Sequence, residues 1–288
     1  FRESGPSNLY SKSLRIQYPL FMPGFGVQTT GFMKGVWMEQ TSAKYGAGER
    51  SGGISGNTLK MVAIVTMLID HIGAGIVEPY LNMNMVAMEG NEMLSRLYYL
   101  DMGLRIIGRA AFPIFCFLLV EGFLHTHNVK KYGSRLLLFS LISEIPFDLA
   151  FFGTWFYPAY QNVYITLFIG LVVLVGYRRW EYDAVKKMLV VAAGCAAAYL
   201  LRCDYDISGI LMIVILYEFR RNKRYQVLAG GLMAALESIS FFGAAVLAFI
   251  PISMYNGTRG RINLKYFFYW FYPVHIMVLY LIQLQVVR

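Results

Sequence analysis

The sequence is poor in charge. Only 15% of its 288 residues are Asp, Glu, Lys or Arg, against about a quarter in a soluble domain. Cysteine is scarce as well. Cys116, Cys195 and Cys203 form no CxxC and no Cys/His ligand spacing, which argues against a metal site and a disulfide framework. The apolar segments lack the two-residue alternation of a lipid-facing strand, which excludes a membrane β-barrel. Residues 1–56 lack any sustained apolar period and are rich in Gly and Ser, so a flexible polar tail is expected there. Within it, Leu20–Val36 is interrupted by Pro23, Gly24, Gly26, Gly31 and Gly35 and lacks the unbroken core of a signal peptide. The chain starts at Phe1, which suggests a fragment or upstream translated sequence, with Met38 a candidate start.

What the sequence has in abundance is apolar residues, 57% of the total, gathered in blocks that approach or exceed the ~20 residues needed to cross a hydrocarbon core. Only helices satisfy their backbone hydrogen bonds in such blocks. The expected fold is therefore an all-α polytopic membrane bundle over residues 57–288. Spans are expected at 58–80, 103–124, 134–153, 162–179, 186–203, 205–219, 225–239, 241–255 and 265–286. The break between the seventh and eighth rests on Ser238, Ser240 and Gly243. Basic residues then fall in alternate loops: Lys130, Lys131 and Arg135; Arg178, Arg179, Lys186 and Lys187; Arg220, Arg221, Lys223 and Arg224; Arg259, Arg261 and Lys265. The positive-inside rule turns this alternation into nine helices with the N-terminus cytoplasmic and the C-terminus outside. The lipid bilayer is thus an expected partner, and nothing points to nucleic acid.

Ionisable residues within spans are costly and mark function by default. Asp70 and His71 lie in the first span. Arg105 and Arg109 lie four apart in the second, Glu144 and Asp148 four apart in the third, and His275 in the last. With the stated topology these depths converge on one outward-biased polar cavity. An imidazole there can act as a general base, held by a carboxylate. Adjacent helical residues diverge by about 100°, so the carboxylate touching His71 is expected to be Asp70, Glu144 or Asp148. The alternative for Arg105 and Arg109 opposite Glu144 and Asp148 is a purely structural ion-pair network.

Several ordered motifs resemble the TraX family. These are Leu59–Gly73 with its Asp-His-Ile-Gly, the run Arg105–His125, Leu141-Ile-Ser-Glu-Ile-Pro-Phe-Asp148, Gln161-Asn162, and Tyr269-Trp-Phe-Tyr-Pro-Val-His275. The resemblance covers most of residues 57–286 and implies an acetyltransferase of the bacterial inner membrane. Its namesake N-acetylates the amino terminus of conjugative pilin, with acetyl-CoA as donor. His71 inherits the catalytic role, as base or as acylated intermediate. Asp70, Glu144, Asp148 and His275 are its candidate partners, and Arg105 or Arg109 the oxyanion stabiliser. Lys130, Lys131, Arg135, Arg220, Arg221, Lys223 and Arg224 are candidates for the phosphates of acetyl-CoA. The acceptor is expected to be a pilin-like peptide or a glycan. The competing classes are a proton-coupled transporter or channel and a non-catalytic subunit of a conjugation or secretion system.

Overall fold

The computed structural model describes residues 52–84, 86, 91–260 and 265–286. Residues 1–51 of the expected tail, Met38 among them, and Arg261 lie outside the described residues. The described chain is helical throughout, apart from turns and two isolated bridges. In chain order the α-helices are α1 (Gly56–Ile72), α2 (Glu78–Met83), α3 (Glu92–Gly108), α4 (Ala111–His125), α5 (Val129–Phe152), α6 (Val163–Arg179), α7 (Ala184–Leu200), α8 (Asp206–Glu218), α9 (Lys223–Glu237), α10 (Phe249–Ser253) and α11 (Lys265–Val286).

Among the described residues, three helical stretches are long and apolar enough to cross a membrane: Gly56–Met83, Glu92–His125 and Tyr266–Val286. α5 has 24 residues but carries Lys130, Lys131, Arg135, Glu144 and Asp148. α6 and α7 have 17 residues each. The outer surfaces of α7 and of the 15-residue α9 are nonetheless apolar, with Val185, Met188, Leu189, Leu228 and Leu232 all more than 60% exposed. Apolar surface on that scale marks contact with something other than water. This is a helical membrane protein.

Several boundaries differ from the expectation, each for a local reason. The second expected span begins at Glu92 rather than 103. At 34 residues and 1.5 Å per residue it is about 50 Å long, so its first turns, with the exposed Arg96–Glu92 pair, overrun the apolar stretch. It is also interrupted at Arg109 and Ala110. Pro113 has no N–H to give the Arg109 carbonyl, and its ring crowds that oxygen. The eighth expected span, 241–255, is not a regular α-helix. It consists of 3₁₀ turns at Ile239–Phe241 and Ala244–Ala248, followed by the five-residue α10. Phe242 and Gly243 take left-handed φ values of 56° and 72°, which no helix can continue through. The buried Ser238 hydroxyl accepts from Ala245 N at 3.0 Å and staples the corner.

Two further features position the site. Between α1 and α2 the helix widens into a π segment, Gly73–Val77, a distortion that recurs at functional sites. In α11, Pro273 leaves the Tyr269 carbonyl without its helical donor, and the Tyr164 hydroxyl of α6 takes its place at 3.2 Å. The end of the expected tail is held rather than loose. Ile54 N donates to Met254 O at 2.9 Å, and Gly56 N to Thr258 O at 2.7 Å.

Candidate active site

Asp70 is the hub of the first polar centre. Arg105 Nη1 donates to its Oδ2 at 2.7 Å and Arg109 Nη2 to its Oδ1 at 2.8 Å. The four-residue spacing brings both guanidiniums to one face of the helix. Asp70 is 8% exposed. Gly108 makes the approach possible, because a Cβ there would overlap the Asp70 carboxylate. The Phe241 ring lies 4.9 Å from Arg109 and 5.9 Å from Arg105, adding cation–π contact. The alternative reading, an ion-pair network of Arg105 and Arg109 with Glu144 and Asp148, is not what forms: both arginines grip Asp70, one residue before His71.

His71 points elsewhere, as the turn of about 100° per residue requires. Its partner is not a carboxylate. His71 Nδ1 lies 2.7 Å from His275 Nε2, and His275 Nδ1 lies 2.6 Å from the Phe271 carbonyl. The two rings are within 4° of parallel with centroids 4.9 Å apart. That is the geometry of coplanar rings meeting edge to edge through the bond, not of face-to-face stacking. The protonation pattern follows from the chemistry of the last acceptor. A carbonyl can only accept, so His275 Nδ1 carries the proton. Neutral His275 then has its lone pair on Nε2, and His71 must donate from Nδ1. The lone pair of His71 is left on Nε2. Phe151 and Tyr272 flank the ring edge-on at 5.8 and 6.0 Å. The carboxylate that was expected to orient His71 is thus replaced by a histidine 204 residues away.

Glu144 and Asp148 serve the loop after α5 and the start of α6. Asn162 donates through Nδ2 to the Glu144 carboxylate and to Ser140 O, and caps α6 by accepting from Tyr164 N. Asp148, fully buried, accepts from Tyr157 N at 2.6 Å. Neither hydrogen-bonds His71.

The candidate phosphate ligands gather at one end of the bundle. There, α4, α6 and α8 finish and α5, α7 and α9 begin. Arg221 and Arg220 approach Glu181 at 3.4 and 3.9 Å, and Arg220 also stacks on Tyr217 at 3.9 Å. Lys223 sits over Phe117 and Tyr255, and Arg135 over Tyr132. Lys130, Lys131 and Arg224 are exposed.

Residues not singled out beforehand complete the centre. Asp204 and Tyr205 come from a loop in which Arg202, Tyr205 and Asp206 all have positive φ. Asp204, Tyr205 and Glu237 lie within electrostatic reach of Arg109, and Tyr205 stacks on Phe112 at 3.5 Å. Loop strain of this kind leaves no pattern in the sequence. Phe241 could have been noticed only as one of many aromatic residues.

The chain matches the family described as TraX protein over residues 55–283. It is 29% identical over 252 residues to a probable fimbrial assembly protein FimC, serogroup H1, of Dichelobacter nodosus, covering 77% of this chain and 92% of that protein. No solved structure matches. With the family match spanning the whole described bundle, from the N-cap of α1 to the last turn of α11, the chain belongs to the TraX family.

Proposed function

We propose that this protein is an acetyltransferase of the bacterial plasma membrane. It moves the acetyl group of acetyl-CoA to an amine or hydroxyl of an extracytoplasmic or membrane-embedded acceptor. The observation that carries the reading is the hydrogen-bond relay that ends on His71 Nε2. A half-buried imidazole with one nitrogen anchored and the other free of hydrogen bonds is a positioned general base. The fimbrial name of the relative in Dichelobacter nodosus favours a pilin-like peptide amine as acceptor.

The reaction follows from the relay. His71 Nε2 takes the proton of the acceptor nitrogen as that nitrogen attacks the thioester carbonyl. His71 becomes an imidazolium, held through Nδ1–H by His275. The oxyanion that forms feels Arg105 and Arg109, both within electrostatic reach of His71, at a depth where fixed charges act strongly. Collapse breaks the C–S bond, and the imidazolium proton goes to the departing thiolate. His71 and the acceptor each return to neutrality.

The topology in this reading has about nine crossings with a cytoplasmic N-terminus. The clustering of Arg178, Arg179, Lys186, Lys187, Arg220, Arg221, Lys223 and Arg224 around one set of helix ends supports it. Lys130, Lys131 and Arg224, exposed at that end, would meet the phosphates of acetyl-CoA.

The test uses purified protein in lipid nanodiscs, acetyl-labelled acetyl-CoA and a synthetic apolar peptide with a free or a blocked N-terminus. Label should appear on the free amine and not on the blocked one. No transfer to the free-amine peptide, together with no heat of acetyl-CoA binding in calorimetry, would overturn the reading.

A further inference from the structure

A cavity of about 450 Å³ lies beside the relay, between the π segment, the C-terminal end of α5 and the last turns of α11. Its size is that of a small-ligand pocket. Ala74, one helical turn beyond His71, lines it, as do Asn82, Tyr280 and Gln283. Phe151 is also in its wall. The same ring meets the His71 imidazole edge-on, with centroids 5.8 Å apart. A single side chain therefore touches both the cavity and the base.

The lining has a definite chemistry. None of the residues around this cavity carries a formal charge. An ion entering it would lose water and find no counter-charge, which is costly. The two carboxamides each offer a donor and an acceptor, the same pair that a peptide group or a neutral hydroxyl presents. Tyr280 adds a hydroxyl, and the remaining side chains of the wall are apolar.

We infer that this cavity is the acceptor's subsite, that it admits an uncharged peptide end carrying the nucleophile, and that Phe151 is the shutter between it and His71. This rests on the acyl-transfer reading. A charged ammonium finds no counter-charge among the lining residues, so the amine sheds its proton before it enters and arrives as the nucleophilic form. Asn82 and Gln283 hold the adjoining peptide group. Displacement of the Phe151 ring then brings the nitrogen to His71 Nε2.

The experiment reads access directly, without acetyl-CoA. Full-length protein in nanodiscs is treated with diethyl pyrocarbonate, an uncharged reagent that acylates imidazole, and modification of His71 is followed by mass spectrometry. Phe151→Ala should raise the His71 rate by about tenfold or more, a loss of at least about 1.4 kcal/mol of barrier. Phe151→Leu should fall between it and the parent, and Ala74→Trp should slow the reaction. In a background with Cys116, Cys195 and Cys203 replaced by Ser, Ala74→Cys should react faster with N-ethylmaleimide than with an anionic sulfonate-bearing thiol reagent. An unchanged His71 rate in both Phe151 variants would overturn the shutter. Equal labelling by the neutral and anionic reagents would overturn the uncharged subsite. Either result with acetyl transfer intact removes the subsite alone, whereas absent transfer with these rates as expected removes the reaction and not the route to His71.

Discussion

The carboxylate of Asp70 ends in two guanidiniums, whereas the imidazole of His71 ends in a lone pair. These neighbours in the chain share a depth in the bundle and the walls of one polar region, yet their bonding differs in kind. Both oxygens of Asp70 are taken by Arg105 and Arg109 at 2.7 and 2.8 Å, and Phe241 covers the guanidiniums. A carboxylate gripped at both oxygens holds helices together, although Arg109 Nε beside it is buried without a partner. The histidine chain runs from Phe271 O through His275 to His71 and stops. Its last nitrogen is the open position from which chemistry can start. What separates the two is the bonding at the titrating atoms: both Asp70 oxygens have charged donors, whereas no hydrogen bond reaches His71 Nε2 among the described residues.

The contrast can be broken most severely at Asp70. Asp70→Ala leaves two buried guanidiniums without their carboxylate, and removing one partner of a buried pair costs about 3–5 kcal/mol. A large fall in thermal midpoint in detergent is expected, with transfer lost through unfolding. The histidine side should respond in the opposite way. His275→Ala should leave the midpoint within a few degrees and lower the rate of transfer by about 10²-fold, at the low end of what a positioned base contributes. His275→Gln, which retains an acceptor for His71 Nδ1–H, should recover part of that rate. If His275→Ala unfolds the protein as Asp70→Ala does, the two centres are not different in kind. The smallest expected effect is at Gly108. Gly108→Ala places a methyl against the Asp70 carboxylate, and such overpacking costs about 1–3 kcal/mol. The midpoint should fall while the pH profile of transfer keeps its shape.

Much of this was legible in the sequence because charge punctuates the apolar runs. The limits of Val163–Arg179 and Ala184–Leu200 lie within a few residues of the expected spans, since Arg178, Arg179, Lys186 and Lys187 mark the turn between them. The corner at Ser238–Gly243 was signalled by its small residues. That the chain beyond it is 3₁₀ rather than α was not, because Phe242 in a left-handed conformation has no signature. In the site, His71, His275, Asp70, Arg105 and Arg109 were all identifiable as polar residues inside apolar helices. Their pairing was not. Which residue faces which across the bundle depends on helix rotation, and a one-residue step turns a side chain by about 100°. That step is the whole difference between Asp70 meeting Arg105 and His71 meeting His275.

The most direct test of the account is the acetyl-transfer rate of His71→Ala set beside its thermal midpoint. The account expects transfer to fall by about 10²–10⁴-fold while the midpoint stays within a few degrees of the parent. Full transfer by a folded His71→Ala protein would contradict it.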